Sequence, residues 1–305
     1  MTRSIVALPP AIAAALPRGG GSAHALSARY RGGALSAGGH VIRDDAELRA
    51  YATARFPATY AAAVAALEEC TAFTPLTALD VGSGLGATAA AAAGVWPELA
   101  QTCLERDPRA LAAGRAVLPT ARWHQGDLTA GLPDGRFDLV TAGYVLTELT
   151  DPLAAARSLW ERTAGLLVLI EPGRRAAYES LMEIRTALIA AGAHVLAPCP
   201  HAGPCPLLGR DWCHFAQRLP RTAAHRAAKG AERSHEDEPF SFLALTRTPA
   251  GAGLARVVRR PEQRKGLVLL DLCRPDGTVT AQPVPKSAGA DYRRAKDVLW
   301  GQTFS

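Results

Sequence analysis

The stretch "LTALDVGSGLGATAAAAAG", Leu76 to Gly94, constrains the fold more than any other part of the chain. A short apolar run is followed by three glycines at alternate positions and then by a run of good helix formers. That order predicts a buried strand, a tight turn and a helix. Gly82, Gly84 and Gly86 can take positive φ and let a ligand approach the backbone closely. The rhythm then repeats. "LAQTCLE", "RWHQGD", "FDLVTAGYVL" and "GLLVLIEPG" predict strands two to five, with helices in "PRALAAGRAVL" and "DPLAAARSLWERT". "AAYESLMEIRTALIAAG" predicts a long amphipathic helix, and "AHVLAPC" and "FSFLALTR" the sixth and seventh strands. Apolar strands alternating with helices specify the α/β class: a Rossmann-like seven-stranded parallel sheet covered on both faces.

Three regions follow from this reading. Residues 1–70 form an N-terminal helical arm, with helices in "AELRAYATARF" and "ATYAAAVAALEEC" broken at Pro57. Residues 71–250 carry the α/β domain, including a cysteine-rich loop at 197–240. Residues 251–305 form a basic extension built on a β-hairpin that turns at "RPDG".

Glu105 ends the second strand, 19 residues after Gly86. A carboxylate at that strand tip can accept both hydroxyls of a ribose. The glycine loop resembles motif I of class I S-adenosylmethionine-dependent methyltransferases, in which an acidic residue and one further residue precede G-x-G-x-G. Dinucleotide folds more often show G-x-G-x-x-G. The resemblance implies a cofactor set of Asp80, Gly82, Ser83, Gly84, Gly86, Glu105, Asp127 and Leu128. Asp80 would lie near the methionine amino group, Asp127 at the adenine amine and Leu128 beside the adenine ring. A Rossmann-like sheet whose pocket holds NAD, or nothing, is the alternative. No catalytic residue is assigned. The position after the fourth strand reads "TAGYVLTEL", without the Asn/Asp-Pro-Pro-aromatic box of amino methylases, and no Pro-Cys pair supplies a C5 nucleophile. Tyr144, Glu148 and Glu171 are candidates to shape the acceptor side.

Six cysteines occur in the chain. Cys70 and Cys103 fall in a helix and a strand and read as core thiols. Cys199, Cys205 and Cys213 are spaced C-x5-C-x7-C, and Cys273 follows 60 residues later. Structural zinc sites usually start from a closer pair, because one turn must aim two thiolates at a small ion. A [4Fe-4S] cluster is wider and takes ligands from separated loops. A zinc site, with His201 or His214 joining the thiols, and a set of unrelated buried thiols remain open.

The formal charge is +6, and residues 251–305 hold ten Lys/Arg against five Asp/Glu. That asymmetry points to an anionic partner, most simply nucleic acid. No apolar run approaches the ~20 residues of a membrane span. The start, "MTRSIVALPPAIAAALPRGGG", has the look of a leader, but Pro9, Pro10 and Pro17 interrupt it. The expected location is the cytoplasm, where thiols stay reduced.

"RFPATYAA", "LDVGSGLG", "APCPHAGPCPL", "DWCHFAQRL", "EDEPFSFL" and "LDLCRPDG" together resemble the methyltransferase-like assembly factors of the small ribosomal subunit, found in bacteria and mitochondria. The resemblance implies S-adenosylmethionine binding, a [4Fe-4S] cluster on Cys199, Cys205, Cys213 and Cys273, and association with ribosomal RNA of the small subunit. Arg256, Arg259, Arg260, Arg264, Lys265, Lys286, Arg293, Arg294 and Lys296 would then supply phosphate contacts. The implied activity is rRNA methyl transfer or an assembly role derived from it. A catalytically silent assembly factor and a small-molecule methyltransferase with structural zinc are the alternatives.

Overall fold

The computed structural model describes residues 5–19, 42–251 and 253–305. The part of the expected N-terminal arm at 20–41 therefore lies outside the described residues. β1 (Thr77–Val81), β2 (Ala100–Glu105), β3 (Arg122–Gln125), β4 (Phe137–Gly143) and β5 (Thr163–Pro172) are parallel, in the order β3-β2-β1-β4-β5. The chain works outward from β1 to β3, then returns to β1's other edge for β4. Two neighbouring strands thus lead away in opposite directions, which opens a crevice at their C-terminal ends.

Beyond β5 the structure departs from the expected all-parallel sheet. β8 (His235–Thr246) lies antiparallel to β5, with β6 (His194–Ala197) and β7 (Phe215–Pro220) both antiparallel to β8 on its other edge. The sheet is mixed and has eight strands. β8 is long enough for one half to pair with β7, from Pro220↔His235 to Phe215↔Phe240, and the other with β6. β7 falls inside the segment expected to be loop, because Gln217 and Arg218 break its apolar reading.

Helices cover both faces of the sheet. α1 (Pro10–Ala15), α2 (Asp45–Ala54) and α3 (Phe56–Leu67) precede it, and Asp44 caps α2 by accepting from the Glu47 amide at 2.8 Å. Pro57 lies in the first turn of α3, where its missing N–H costs nothing. α3 and α4 (Ala87–Val95) are rich in alanine on the faces they bury, so their backbones can approach closely. With α5 (Pro108–Val117) they share a core with Leu166, Val168 and Ile170 of β5. The alternate residues Leu167 and Leu169 pack on the opposite layer with α6 (Pro152–Arg162) and α7 (Arg175–Ala190). This alternation is the pleat at work. α8 (Ala223–Lys229) is inserted between β7 and β8, starting at the Thr222 cap and ending at Gly230, φ +58°.

The C-terminal region is more than the expected hairpin. β11 (Leu267–Cys273) and β12 (Val279–Pro285) form that hairpin, but β9 (Ala255–Val257), β10 (Glu262–Arg264) and β13 (Thr303–Phe304) join it in a five-stranded sheet. α9 (Ala290–Asp297) packs on it, and Val257, Val268, Leu270, Leu272, Val284, Ala295 and Phe304 make a separate small core.

Candidate cofactor crevice and thiol cavity

The glycine loop forms the floor of a crevice of about 480 Å³ at the switch between β1 and β4. Gly82 (φ +64°), Gly84 (+55°) and Gly86 (+87°) all have left-handed backbone. A Cβ on Gly82 would meet Val145 Cγ2 at 2.5 Å, so the floor is built for a bare backbone. Gly82, Gly84, Glu105, Asp127 and Leu128 line the crevice. Asp80, Ser83 and Gly86 stand behind it: Ser83 Oγ donates to the Asp80 carbonyl at 2.9 Å, and Gly86 precedes α4.

Glu105 closes the far wall. Its two oxygens accept from the Gly84 amide and the Asp107 amide, each at 2.7 Å, and each retains a second lone pair. Asp127 has one oxygen committed to Thr129, accepting from its amide at 2.8 Å and its hydroxyl at 2.7 Å. Its other oxygen faces Arg106 at 3.7 Å.

Beneath and beside the loop lie buried carboxyls. Asp80 accepts from Thr141 Oγ1 at 2.6 Å through Oδ1, while Oδ2 has no partner. Burial pushes this carboxyl up to about 6, against the hydrogen bonds of Thr141 and Ser83. Glu171 accepts from the Leu146 amide at 2.9 Å and leaves Oε2 without a partner. Burial pushes it up to about 7. Half-buried Glu148 rises to about 8, through desolvation and the nearby Glu171 and Glu105 carboxyls. Carboxyls buried behind a glycine-floored crevice, each with one oxygen lacking a partner, fit a ligand with a cationic group and a ribose.

The other wall comes from distant segments that sequence reasoning did not assign to the site. Tyr51 and Arg55 of α2–α3 line it, together with Glu236 and Glu238 of β8. Tyr144 donates to Glu238 at 3.1 Å, Arg55 approaches the same oxygen at 3.5 Å, and its guanidinium stands 5.4 Å from the Tyr144 ring centroid. Tyr144 has φ +60°, the one left-handed non-glycine among the described residues. The signal lay in "RFPATYAA" and "EDEPFSFL", which contain Arg55 and Glu238.

A second, small and almost wholly apolar cavity lies further along β8, at Ser241 and Phe242. Cys199, Cys205, Cys213 and Cys273 all line it, brought there by the loops after β6 and before β7 and by the end of β11. None of the six cysteines is in a disulfide. Tyr178 of α7 donates to Cys205 Sγ at 3.0 Å, and His201 Nε2 lies 3.6 Å from Cys273 Sγ. Ser241 of β8 donates to the Cys213 carbonyl at 2.9 Å. Among the described residues, no three His, Cys, Asp or Glu side chains are gathered closely enough to hold a single metal ion. His214 instead stacks on Trp212, with centroids 5.1 Å apart.

The basic extension divides into two sets. Arg256 is buried, donating to Pro198 O at 2.9 Å, to Glu69 at 2.7 Å and to Gly301 O at 2.7 Å. Arg259 is paired with Asp211. These two are internal ties, which corrects their expected role as phosphate contacts. Arg260, Arg264, Lys265, Lys286, Arg293, Arg294 and Lys296 are exposed, with Arg264 and Arg294 paired to Glu262 and Asp291.

A β3-β2-β1-β4-β5 parallel sheet, an antiparallel strand wedged beside β5, and a glycine loop with an acid at the β2 tip define a class I methyltransferase-like protein. The chain belongs to the mitochondrial small ribosomal subunit Rsm22 family, whose model matches residues 45–305. It is 30% identical over 283 residues to the human mitochondrial ribosome assembly protein METTL17, covering 82% of this chain and 61% of that protein. It is 29% identical to Rsm22-cox11 tandem protein 2, mitochondrial, of Schizosaccharomyces pombe, covering 52% of this chain and 27% of that protein. The chain thus spans less than two thirds of the length of these relatives. Similar solved structures include the plantazolicin methyltransferase BpumL in complex with SAH, at 10% identity and TM-score 0.43, covering 63% of this chain and 85% of that one. Mitomycin 7-O-methyltransferase MmcR is similar at 20% identity and TM-score 0.40, covering 66% and 57%.

The family and its named relatives are mitochondrial, which overturns the expected cytoplasmic location and points to mitochondria. The cytoplasmic expectation rested on prolines in an apolar stretch, and those bear on helix formation rather than on compartment.

Proposed function

We propose that this chain is an assembly factor of the small ribosomal subunit that binds S-adenosylmethionine and carries a [4Fe-4S] cluster. The observation that carries the reading is one cavity lined by four thiols from separate parts of the chain, sharing strand β8 with a glycine-floored crevice. Cys199, Cys205, Cys213 and Cys273 would hold the cluster. A tetrahedral zinc site brings its sulfurs to roughly 3.8 Å of one another, as Zn–S bonds of about 2.3 Å require. Thiols that reach one cavity from separated loops suit the wider cube better. Asp80, Gly82, Ser83, Gly84, Gly86, Glu105, Asp127 and Leu128 would form the cofactor site. Glu105 would accept ribose hydroxyls there, and the carboxyls of Asp80 and Glu171, buried behind the crevice, would favour the cationic end. When bound, the cofactor supplies an electrophilic methyl group. Exposed Lys and Arg of the C-terminal sheet would meet RNA phosphates, giving affinity without reading sequence.

Anaerobic purification, with iron, sulfide and zinc analysis and calorimetric titration with SAH, tests both sites. The expected result is about four iron and four sulfide per chain and saturable SAH binding. Zinc without sulfide would instead favour a small-molecule methyltransferase with a structural metal.

A second reading, methyl transfer to rRNA, is favoured by Tyr144. Left-handed backbone on a bulky residue is costly and concentrates at functional sites. Labelled methyl appearing in small-subunit RNA would establish it. Normal subunit maturation with Gly84→Asp, alongside failure with Cys205→Ser, would show that assembly does not need the transfer.

A further inference from the structure

Arg185 lies in α7 with 2% of its surface exposed. Its two terminal nitrogens donate to backbone carbonyls of the cysteine loop, Gly203 O at 2.9 Å and His201 O at 2.6 Å. Its Nε has no partner. Among the described residues no carboxylate pairs with it, in contrast to Arg256, which is also buried but pairs with Glu69. Two carbonyls satisfy donors without neutralising the charge. A buried guanidinium left in that state costs several kcal/mol, and it cannot escape by losing its proton.

The same helix face walls the thiol cavity. The preceding turns of α7 place Tyr178, Leu181 and Met182 in the wall of the thiol cavity. One face of α7 therefore offers the cavity a hydroxyl on Cys205 and, one turn beyond its apolar wall, a guanidinium with no carboxylate partner among the described residues.

We propose that Arg185 is the counterion of the thiolate centre, fixed in place by its two hydrogen bonds to the cysteine loop. The proposal rests on the reading of the four cysteines as cluster ligands. A cluster on four thiolates carries net negative charge, and reduction adds one electron more. A fixed buried cation stabilises both states, and the reduced state more, so Arg185 favours retention of the cluster and raises its reduction potential. It acts through the thiolates and makes no bond to iron, which makes it a positioning and tuning residue.

Full-length Arg185→Gln and Arg185→Lys chains, loaded and handled anaerobically, test this. Glutamine keeps donors for the carbonyls without charge, whereas lysine keeps the charge with fewer donors. The readouts are iron and sulfide content, the rate of bleaching in air, and the midpoint of a redox titration followed by visible absorbance. Arg185→Gln should retain the cluster roughly tenfold less well and reduce at a more negative potential. Arg185→Lys should stay close to the unaltered chain on both counts. Equal retention and midpoint in Arg185→Gln would overturn the proposal. Equal loss in both variants would overturn it too, because the residue would then serve only to brace the loop. If Arg185→Gln does not fold, judged by circular dichroism, Arg185→Lys decides: folded protein without cluster refutes the counterion role. An unaltered chain that takes up no iron and sulfide refutes the iron–sulfur reading itself, before any variant is compared.

Discussion

Asp80 and Glu171 show what burial does to single residues in this chain. Each has one oxygen hydrogen-bonded and one without a partner, and each holds its proton to higher pH than an exposed carboxyl would. With folded-state values near 6 and 7 against roughly 4 unfolded, both favour folding most at and below about pH 4. That contribution is lost as pH rises through the folded values. The ligand-free chain should therefore melt at progressively lower temperature from about pH 4 to about pH 7, and Glu171→Gln should flatten that decline. Thermal unfolding across a pH series measures both. Asp80 and the glycines were legible in the sequence because their geometry is local. The positive φ at Gly82 and Gly84 follows from their alternate spacing. The roles of Glu238 and Arg55 were not legible, since Glu238 reaches the crevice from 94 positions beyond Tyr144.

At the scale of elements, α5 depends on one capping side chain. Asp107 accepts from the Arg109 and Ala110 amides at 2.8 and 3.2 Å, just after the strand tip that carries Glu105. Asp107→Ala should cost about 1 kcal/mol and loosen the first turn of α5, as read by urea denaturation and amide exchange. Such signals also explain what could be read in advance. β1, β4 and β5 are apolar runs buried on both faces, which composition reveals directly. The direction of β8 is not written in its hydrophobicity, because an antiparallel strand buried on both faces reads like a parallel one. β10 and β13, of 3 and 2 residues, are too short to carry any period.

On the scale of the whole molecule, Arg256 binds three regions that are distant in sequence: Glu69 after α3, Pro198 beside Cys199, and Gly301 near the C-terminus. Removing one partner of a buried ion pair costs about 3–5 kcal/mol. Arg256→Ala should therefore release β9 and β13 to faster hydrogen exchange while β1 to β5 stay protected. Lys286 and Lys296, by contrast, are exposed and make no ion pair among the described residues. Lys286→Ala or Lys296→Ala should leave folding unchanged and reduce the salt slope of small-subunit RNA binding by about one each, measured by filter binding across a potassium series. Substituting Arg259, which is held by Asp211, should leave that slope as it is.

β8 has a consequence for how the molecule can change. Glu238 and Pro239 face the crevice, while Ser241 and Phe242 border the sulfur-lined hollow, a separation of roughly 10 Å along one strand. β7 grips the half that reaches the crevice, and β5 and β6 flank the other half, so one continuous strand ties the two ends together. Substitutions that widen one chamber will be registered in the other. Any graft or minimised version of the protein has to transplant His235–Thr246 whole, with both chambers attached.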